Sequence, residues 1–159
     1  MKLSVVLLSY NTRDLTEQAL RSTIVALDGI ESEVFVVDNA SMDGSAEMVS
    51  EKFPDVNLYV NADNIGFSSG NNKALSKVCG SYVLLINTDT IVHRNAFKKM
   101  VDFLDKHPEA GAVGCKILNP DGTLQLDSRR GFPTPFAAFC KMSGLSRLFP
   151  KHKQIARYN

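Results

Sequence analysis

Four short segments rich in asparagine and aspartate each follow an apolar run of the sequence. They are 9–12 (SYNT), 38–41 (DNAS), 61–64 (NADN) and 87–90 (NTDT). Carboxylates and amides can hydrogen-bond a nucleobase and a ribose, and they suit a hard divalent cation. Each segment alone can equally be an ordinary polar loop, but four of them at one edge of a sheet would favour a ligand site.

The segment 87–90 contains the strongest candidate for a metal ligand, Asp89. The run before it is apolar throughout, so we expect a rigid strand to position its carboxylate. Together with Asn87, it could hold Mg²⁺ or Mn²⁺, with water and phosphate oxygens in the remaining positions. An Asx turn or a helix cap explains the same residues equally well, and the spacing leaves both interpretations open.

The segment 64–72 (NIGFSSGNN) combines two glycines with several amides. Gly66 and Gly70 allow a ligand or another backbone to approach closely, and the start of the helix that follows favours anionic groups. The alternative interpretation is a flexible loop.

Motifs of other ligand classes are absent from the sequence. Neither GxGxxG after the first apolar run nor GxxxxGK[ST] occurs, which argues against a dinucleotide oxidoreductase and a P-loop NTPase. Three cysteines without a CxxC motif argue against a disulfide framework and a zinc ribbon, and they suit a reducing cytoplasm. The three histidines have no partner at metal-ligand spacing.

Hydrophobic periodicity predicts strands that alternate with helices. The strands are predicted at 2–9, 33–37, 56–60 and 81–86, and the helices at 14–27, 68–78, 95–107 and from a cap at Asp43 and Ser45 to 53. A turn is predicted at 119–122, between 112–118 and 123–126. This alternation predicts an α/β fold with a Rossmann-like, mostly parallel sheet and helices on both faces. Ligands bind beyond the carboxyl ends of such strands, which is where the four polar segments fall.

Length and composition indicate a folded chain with an uneven charge distribution. The 159 residues are 44% hydrophobic, and no apolar run reaches the roughly 18–20 residues that span a bilayer. Residues 1–128 carry 11 Lys+Arg and 17 Asp+Glu, a net charge of −6, whereas residues 129–159 carry seven Lys+Arg and no acid. The basic, aromatic-rich tail is either a segment that contacts a membrane surface or a helix that packs on a missing remainder. A nucleic-acid partner is not expected, because the basic residues are confined to this tail and no reader motif is present.

Four motifs in order resemble those of family 2 glycosyltransferases, which have the GT-A fold. The resemblance runs from residue 1 to about 135. The motifs are VVLLSYN at 5–11, VVDNASMDGS at 36–45, NIGF through NN at 64–72, and LLINTD at 84–89, where the family carries its DxD metal motif.

The resemblance implies a donor nucleotide site and a bound Mg²⁺ or Mn²⁺. Asp38 would contact the base or the ribose, and Asp89 would hold the metal. Asn87 replaces the first acid of DxD, so Asp89 is the one strong ligand of that motif. The residues implied to bind the nucleotide are Ser9, Tyr10, Asn11, Asp38, Asn39, Asn64, Gly66, Asn71, Asn72 and Asn87.

The activity implied is transfer of a sugar, with inversion, from a nucleotide-diphosphate donor (UDP or dTDP) to a hydroxyl of a saccharide or lipid-linked acceptor. Segments 114–125 and 129–135 are similar to bacterial rhamnosyltransferase-like members that build cell-surface polysaccharide. Residues 1–128 would form the nucleotide-sugar-binding domain, and 129–159 would begin a missing acceptor region. The expected location is the cytoplasm, peripheral at the inner face of the membrane.

The family's catalytic base is an acid located after the DxD motif, and no such residue is assigned in this chain. The acids after Asp89 occupy predicted helix surfaces, helix ends and turns, so the chain is expected to lack the base and to be inactive alone. They are Asp102, Asp105, Glu109, Asp121 and Asp127. The alternative function is a non-catalytic nucleotide-binding or membrane-associated interaction module.

Overall fold

The structure, a computed structural model, describes residues 1–125, 128, 134–149 and 152. Of residue 147 it describes the backbone only. The chain separates into two compact units, Met1–Val113 and Gly114–Asn159. The division into domains 1–128 and 129–159 stays a prediction.

The first unit alternates four strands with four helices in the predicted order. The strands are β1 (Leu3–Ser9), β2 (Ser32–Asp38), β3 (Asn57–Val60) and β4 (Tyr82–Asn87). The helices are α1 (Arg13–Ala26), α2 (Ser45–Lys52), α3 (Phe67–Leu75) and α4 (Ala96–Lys106). Observed and predicted ends differ by at most three residues. Asp43, which was predicted with Ser45 to cap α2, lies two residues before the helix begins.

The four strands form one parallel sheet in the order β3-β2-β1-β4. Ser9 is in register with Asp38 on one side of β1, and Leu8 is in register with Asn87 on the other. Because all four strands are parallel, the polar segments that follow them lie at one edge of the sheet. This edge is called the carboxyl edge below.

Helices cover both faces of the sheet, as the sequence predicts. On one face, α1, α2 and α4 pack on Val5 and Leu7 of β1, and the core includes Leu20 and Phe97. On the other face, α3 packs on β1 and β2 around a smaller cluster that includes Val6. Strand β1 is buried along almost its whole length and pairs on both sides, which makes it the rigid centre of the unit.

Strand β4 differs from the expectation of a sheet covered on both faces. Tyr82, Leu84 and Ile86 pack against the larger core, but Val83 and Leu85 are 44% and 47% exposed. Helix α3 lies over β1 and β2, so the second face of β4 is not covered to the same extent.

The second unit contains a turn and two short helices among its described residues. The predicted turn is present: the Gly122 N–H donates to the carbonyl oxygen of Asn119, and Gly122 has φ +82°. Helix α5 (Pro135–Met142) begins after Thr134, whose hydroxyl accepts from the N–H of Ala137, and α6 (Leu145–Leu148) follows. Among the described residues, no helix has the length and apolar composition needed to cross a bilayer.

Candidate functional site

The turn after β1 is tied to the turn after β2. The Asn11 N–H donates to Ser41 Oγ at 2.9 Å, and Asn11 Oδ1 accepts from the Met42 N–H at 2.8 Å. Asn11 has φ +51°, a left-handed conformation that asparagine tolerates better than most residues. The Ser9 side chain points inward, where its hydroxyl lies 2.9 Å from that of Thr16.

Asp38 ends β2 and is almost fully buried, with 1% of its surface exposed. Its Oδ2 accepts from the Ser41 N–H at 2.8 Å, which closes a tight turn around Ala40. Its Oδ1 is also buried and has no hydrogen-bond partner within the described residues. A buried carboxylate oxygen without a donor is costly, so a hydrogen-bond donor supplied to this atom would be stabilising.

Asp43 connects the starts of two helices. Its Oδ2 accepts from the Arg13 N–H at 2.8 Å, and its Oδ1 accepts from the Ser45 N–H at 3.0 Å and from the Ser45 hydroxyl. Burial acts to raise the pKa of Asp43, but these hydrogen bonds outweigh it and place the pKa below its ordinary value. Asp43 therefore fixes the turns after β1 and β2 relative to each other.

A row of amides connects the turn after β2 to the segment after β3. Asn61 Nδ2 donates to Asn39 Oδ1 at 2.8 Å, and Asn39 Nδ2 donates to Asn64 Oδ1 at 3.2 Å and to the Gly66 carbonyl oxygen at 3.3 Å. Asn39 and Asn61 are buried. Lys73 Nζ donates to Asn61 Oδ1 at 2.5 Å, which places an exposed cation at the other end of the row.

Gly66 and Gly70 have different structural roles at the start of α3. Gly66 has φ +80° and directly precedes the helix, a conformation that favours glycine. A Cβ at Gly70 would lie 2.4 Å from Leu8 Cδ1 and 3.2 Å from Asn39 Oδ1. The absence of a side chain at Gly70 therefore lets α3 pack directly on the site.

The turn after β4 forms the other half of the carboxyl edge. Asn87 and Asp89 are both exposed, and the structure gives neither side chain a hydrogen bond within the described residues. Asp38 and Asn87 lie on opposite sides of β1, about 10 Å apart at the usual spacing between neighbouring strands.

The carboxyl edge fits a cation that is shared with a ligand. Among the described residues, no three His, Cys, Asp or Glu side chains are grouped closely enough to hold a metal by themselves. Mg²⁺ is commonly bound through one or two carboxylates together with phosphate oxygens, which suits the single exposed carboxylate of Asp89.

The structure brings most of the predicted nucleotide residues together, with two side chains committed elsewhere. Ser9 Oγ is held by α1, and Asn71 Nδ2 donates to the Phe67 carbonyl oxygen at 2.9 Å within α3. Tyr10 and Asn72 are exposed near the edge. The assignment of the whole set to a nucleotide site stays a prediction.

Three residues with clear structural roles at the edge were not predicted as site residues. Asn61 and Lys73 form one end of the amide row, and Asp43 was expected only to cap α2. Asn61 could have been found from its position directly after β3. No sequence signal identifies Lys73, because its role depends on how α3 packs.

Two of the acids after Asp89 are held in structural contacts. Asp105 accepts hydrogen bonds from Lys2 and Tyr82, and these hold its pKa below its ordinary value. Asp121 accepts from the N–H and hydroxyl of Thr123, with the same effect on its pKa. A lowered pKa opposes the role of general base near neutral pH. Glu109 Oε1 lies 3.0 Å from His107 Nδ1, Asp102 is exposed, and Asp127 lies outside the described residues.

The model of glycosyl transferase family 2 matches residues 4–157 of the chain. The chain therefore belongs to glycosyl transferase family 2. This agrees with the parallel sheet and with the polar carboxyl edge described above.

Curated relatives include a bacterial rhamnosyltransferase and a bacterial polysaccharide synthase. The chain is 25% identical over 139 residues to N-acetylglucosaminyl-diphospho-decaprenol L-rhamnosyltransferase of Mycobacterium tuberculosis, covering 80% of this chain and 45% of the relative. It is 28% identical over 116 residues to poly-beta-1,6-N-acetyl-D-glucosamine synthase of Staphylococcus epidermidis, covering 70% and 27%. The chain thus spans less than half the length of these relatives.

Solved structures of GT-A glycosyltransferases share the fold. TarS 1–349 of S. aureus in complex with UDP matches with a TM-score of 0.60 and 30% identity, over 68% of this chain and 33% of that one. The mannosyltransferase PcManGT of Pyrobaculum calidifontis, in complex with GDP-Man and Mn²⁺, matches with a TM-score of 0.62 and 26% identity, over 76% and 36%. The GT-A fold predicted from the motifs is confirmed.

The position of Asp43 predicts a pH-dependent contribution to stability. Asp43→Asn should lower the free energy of unfolding by about 0.5–1 kcal/mol at pH 7, because it weakens charge-assisted hydrogen bonds at a largely exposed site. The folded-state pKa is lowered, so the contribution is present above the unfolded pKa of about 3.9 and is lost as the pH falls through the folded value. Urea unfolding at pH 7 and at about pH 3 measures both effects. The control is Asp63→Asn at the same edge, and an equal loss at both pH values would contradict the assignment.

Proposed function

We propose that the first unit binds the nucleotide-diphosphate sugar of an inverting glycosyltransferase. The observation that carries this proposal is the buried, unpartnered Oδ1 of Asp38 at the carboxyl edge. Family membership supports transferase chemistry, and a UDP complex and a GDP-Man complex among the similar structures support a nucleotide-sugar donor.

Asp38 is proposed to accept a hydrogen bond from the base or the ribose. A nucleobase N–H or a ribose hydroxyl would supply the donor that Oδ1 lacks. Because Oδ1 is covered as well as unpartnered, binding must shift part of its surroundings. The turn that contains Ala40 is the natural candidate, since its φ of +62° is unfavourable for alanine.

The sheet order is proposed to orient the donor. Asp38, Asn39 and Asn64 lie on the β2 and β3 side of the edge, and Asn87 and Asp89 lie on the β4 side. The separation of about 10 Å across β1 suits a nucleoside bound at β2 with its diphosphate extending towards β4. The exposed edge at β4 leaves room for the sugar and its acceptor.

Asp89 is proposed to hold Mg²⁺ or Mn²⁺ together with the donor diphosphate. When bound, the cation would neutralise the charge that develops on the diphosphate as it leaves. The carboxylate of Asp89 contributes the protein's charge to this site, and the exposed Asn87 amide can contribute an oxygen.

The chain's own residues are proposed to bind and orient the donor rather than to deprotonate the acceptor. An acceptor hydroxyl that attacks opposite the leaving diphosphate inverts the anomeric carbon, and its proton must pass to a base. Asp105 and Asp121 are occupied and have lowered pKa values, so neither is proposed as this base.

The donor is proposed to be a UDP- or dTDP-sugar, and the acceptor a saccharide or lipid-linked saccharide of a cell-surface polysaccharide. The rhamnosyltransferase and polysaccharide synthase among the relatives support this class of product. The reaction is proposed to take place in the cytoplasm. Measuring nucleotide-sugar hydrolysis and transfer by the 159-residue chain, with and without Mn²⁺, separates a transferase from a non-catalytic nucleotide-binding module.

Replacing Asp38 should weaken nucleotide binding. Asp38→Ala removes the acceptor for the base or ribose, and the loss of one hydrogen bond to a charged group corresponds to roughly ten- to a hundredfold in affinity. Calorimetric titration of UDP with Mn²⁺ measures the change, and Asp63→Ala is the control at the same edge. Unchanged UDP affinity in folded Asp38→Ala would remove Asp38 from the site.

Asp89 should determine the metal dependence of diphosphate binding. The edge already carries Asp38 and Asp89, so UDP should bind weakly with a chelator present and more tightly with Mn²⁺. Asp89→Asn keeps the shape of the side chain but should abolish this difference, whereas uridine should bind as before. Asn87→Asp restores a second acid and should strengthen the metal effect. Metal-stimulated UDP binding that survives Asp89→Asn would place the cation elsewhere.

The second unit is proposed to contact an anionic membrane surface. Phe136 and Phe139 lie three residues apart on α5 and are 56% and 61% exposed. Residues 129–159 carry seven Lys+Arg and no acid, which complements anionic lipid headgroups.

This contact predicts salt-sensitive sedimentation with vesicles. The chain should co-sediment with vesicles of phosphatidylglycerol and phosphatidylcholine at low salt, and added salt should weaken binding. Deleting residues 136–159, or replacing both phenylalanines with serine, should abolish or reduce it, whereas Ile91→Ser in the first unit should not. If the intact chain does not co-sediment with these vesicles at low salt, the result would favour the alternative that this helix packs on protein.

A further inference from the structure

Three hydrogen bonds hold residues 38–42, called the 38–42 turn below, in the closed conformation that the structure shows. Within the turn, the Ser41 N–H donates to Asp38 Oδ2 at 2.8 Å. From the turn after β1, the Asn11 N–H donates to Ser41 Oγ at 2.9 Å, and Asn11 Oδ1 accepts from the Met42 N–H at 2.8 Å. The two bonds to Asn11 are exposed, and water competes for them, so each contributes only modestly to stability.

Little else stabilises the closed conformation of the 38–42 turn, and its backbone opposes it. Ala40 has φ +62°, in the left-handed region where the Cβ of an L-residue is crowded. The Met42 side chain is 94% exposed, so it adds no apolar packing. A few polar contacts thus hold the turn against backbone strain, which is typical of segments that open locally while the rest of the protein stays folded.

The backbone of Asp38 is held more firmly than the turn that follows it. The Asn39 N–H donates to the Ser9 carbonyl oxygen at 2.9 Å, and the Asn61 N–H donates to the Asp38 carbonyl oxygen at 2.8 Å. These bonds continue the pairing of β2 with the strands on both sides. The carboxylate of Asp38 and the 38–42 turn are therefore the parts that can move.

Movement of either part breaks the bond that closes the turn. Asp38 Oδ1 is buried and has no partner among the described residues, so a ligand donor cannot reach it in the closed conformation. Rotating the carboxylate to expose Oδ1 takes Oδ2 away from the Ser41 N–H, and moving the turn takes the Ser41 N–H away from Oδ2. Access to Oδ1 is thus coupled to opening of the turn.

We propose that opening of the 38–42 turn regulates nucleotide binding at Asp38. In the open conformation, Ala40 leaves the left-handed region and the carboxylate of Asp38 accepts a hydrogen bond from the ligand. A ligand that binds only the open conformation has an affinity reduced in proportion to the open fraction. Ala40 and Ser41 therefore set the affinity without contacting the ligand.

Ala40→Gly should stabilise the protein and weaken nucleotide binding. Glycine removes the strain of the closed conformation, so the open fraction, and with it the affinity for UDP, should fall about two- to fivefold. Urea unfolding measures the stability, and calorimetric titration of UDP with Mn²⁺ measures the affinity. Greater stability with unchanged or tighter UDP binding would overturn the proposal, and so would stability that does not rise.

Ser41→Ala should have the opposite effect on binding. It removes the hydroxyl that accepts from the Asn11 N–H but keeps the Ser41 N–H. With one hydrogen bond fewer, the closed conformation is less stable, and UDP should bind about two- to tenfold more tightly. The matched control is Ser50→Ala, at an exposed serine of α2, which should leave UDP binding unchanged. Unchanged or weaker UDP binding in Ser41→Ala would contradict the proposal.

Amide hydrogen exchange of the full chain measures the opening without nucleotide. The backbone N–H groups of Ser41, Met42 and Asn39 are all hydrogen-bonded. Those of Ser41 and Met42 should nevertheless exchange at least about tenfold faster than that of Asn39, because the turn opens while the sheet stays paired. Ala40→Gly should slow exchange at Ser41 and Met42 by the same factor by which it weakens UDP binding. Exchange at the turn as slow as at Asn39, or two unequal factors, would overturn the proposal.

This inference rests on the proposed function for the nature of the ligand, and the two can fail separately. If the chain binds neither UDP nor uridine, the proposed function fails. Hydrogen exchange then still decides whether the strain of Ala40 controls the turn. Slowing by about two- to fivefold in Ala40→Gly would support this control, and no slowing would overturn it.

Discussion

The parallel pairing of β1 with both β2 and β4 is the constraint on which the carboxyl edge depends. Ser9 and Leu8 are in register with Asp38 and Asn87 on opposite sides, so two polar turns are placed about 10 Å apart across one buried strand. A slip of one residue in either pairing would exchange the buried and exposed faces of a strand. The packing of Val5 and Leu7 in the core therefore also fixes the position of the site.

Polar contacts stabilise the turns at this edge, whose backbone conformation is unfavourable by itself. Ala40 has φ +62°, which costs an L-residue about 1–2 kcal/mol. The bond from the Ser41 N–H to Asp38, together with the contacts between Asn11 and the neighbouring turn, holds this conformation. A strained turn beside a buried, unpartnered carboxylate oxygen is consistent with a site whose energy is recovered on binding a ligand.

The two halves of the edge are built differently. Asp38, Asn39 and Asn61 are buried and joined by hydrogen bonds, so the β2 and β3 side is pre-organised apart from the turn that contains Ala40. Asn87 and Asp89 are exposed on a strand whose second face is only partly covered. The buried β2 and β3 side suits binding of a group that is the same in different ligands. The exposed β4 side suits metal-dependent binding of a charged group.

Much of the fold and of the candidate site was predictable from the sequence, because each depends on local pattern. Apolar runs and helical spacing predicted the alternation of strands and helices, and the parallel sheet then required the four polar segments to share an edge. The motifs around Asp38 and Asp89 led to the family, which the match over residues 4–157 confirms. Nothing local predicted the exposure of Val83 and Leu85, since burial depends on which helix covers which strand.

Only the tertiary structure determined the contacts between residues that are distant in sequence. Asp43 is hydrogen-bonded to Arg13, 30 positions away in the sequence, and Asn39 to Asn61, 22 positions away. These contacts form because parallel strands return each turn to the same edge. The unpartnered oxygen of Asp38 likewise becomes visible only when its surroundings are known. The sequence determined which residue types reach the carboxyl edge, through periodicity and strand direction. Packing determined which of their polar atoms have a hydrogen-bond partner within the chain and which are left to bind a ligand, because a hydrogen bond requires donor and acceptor within about 3 Å of each other.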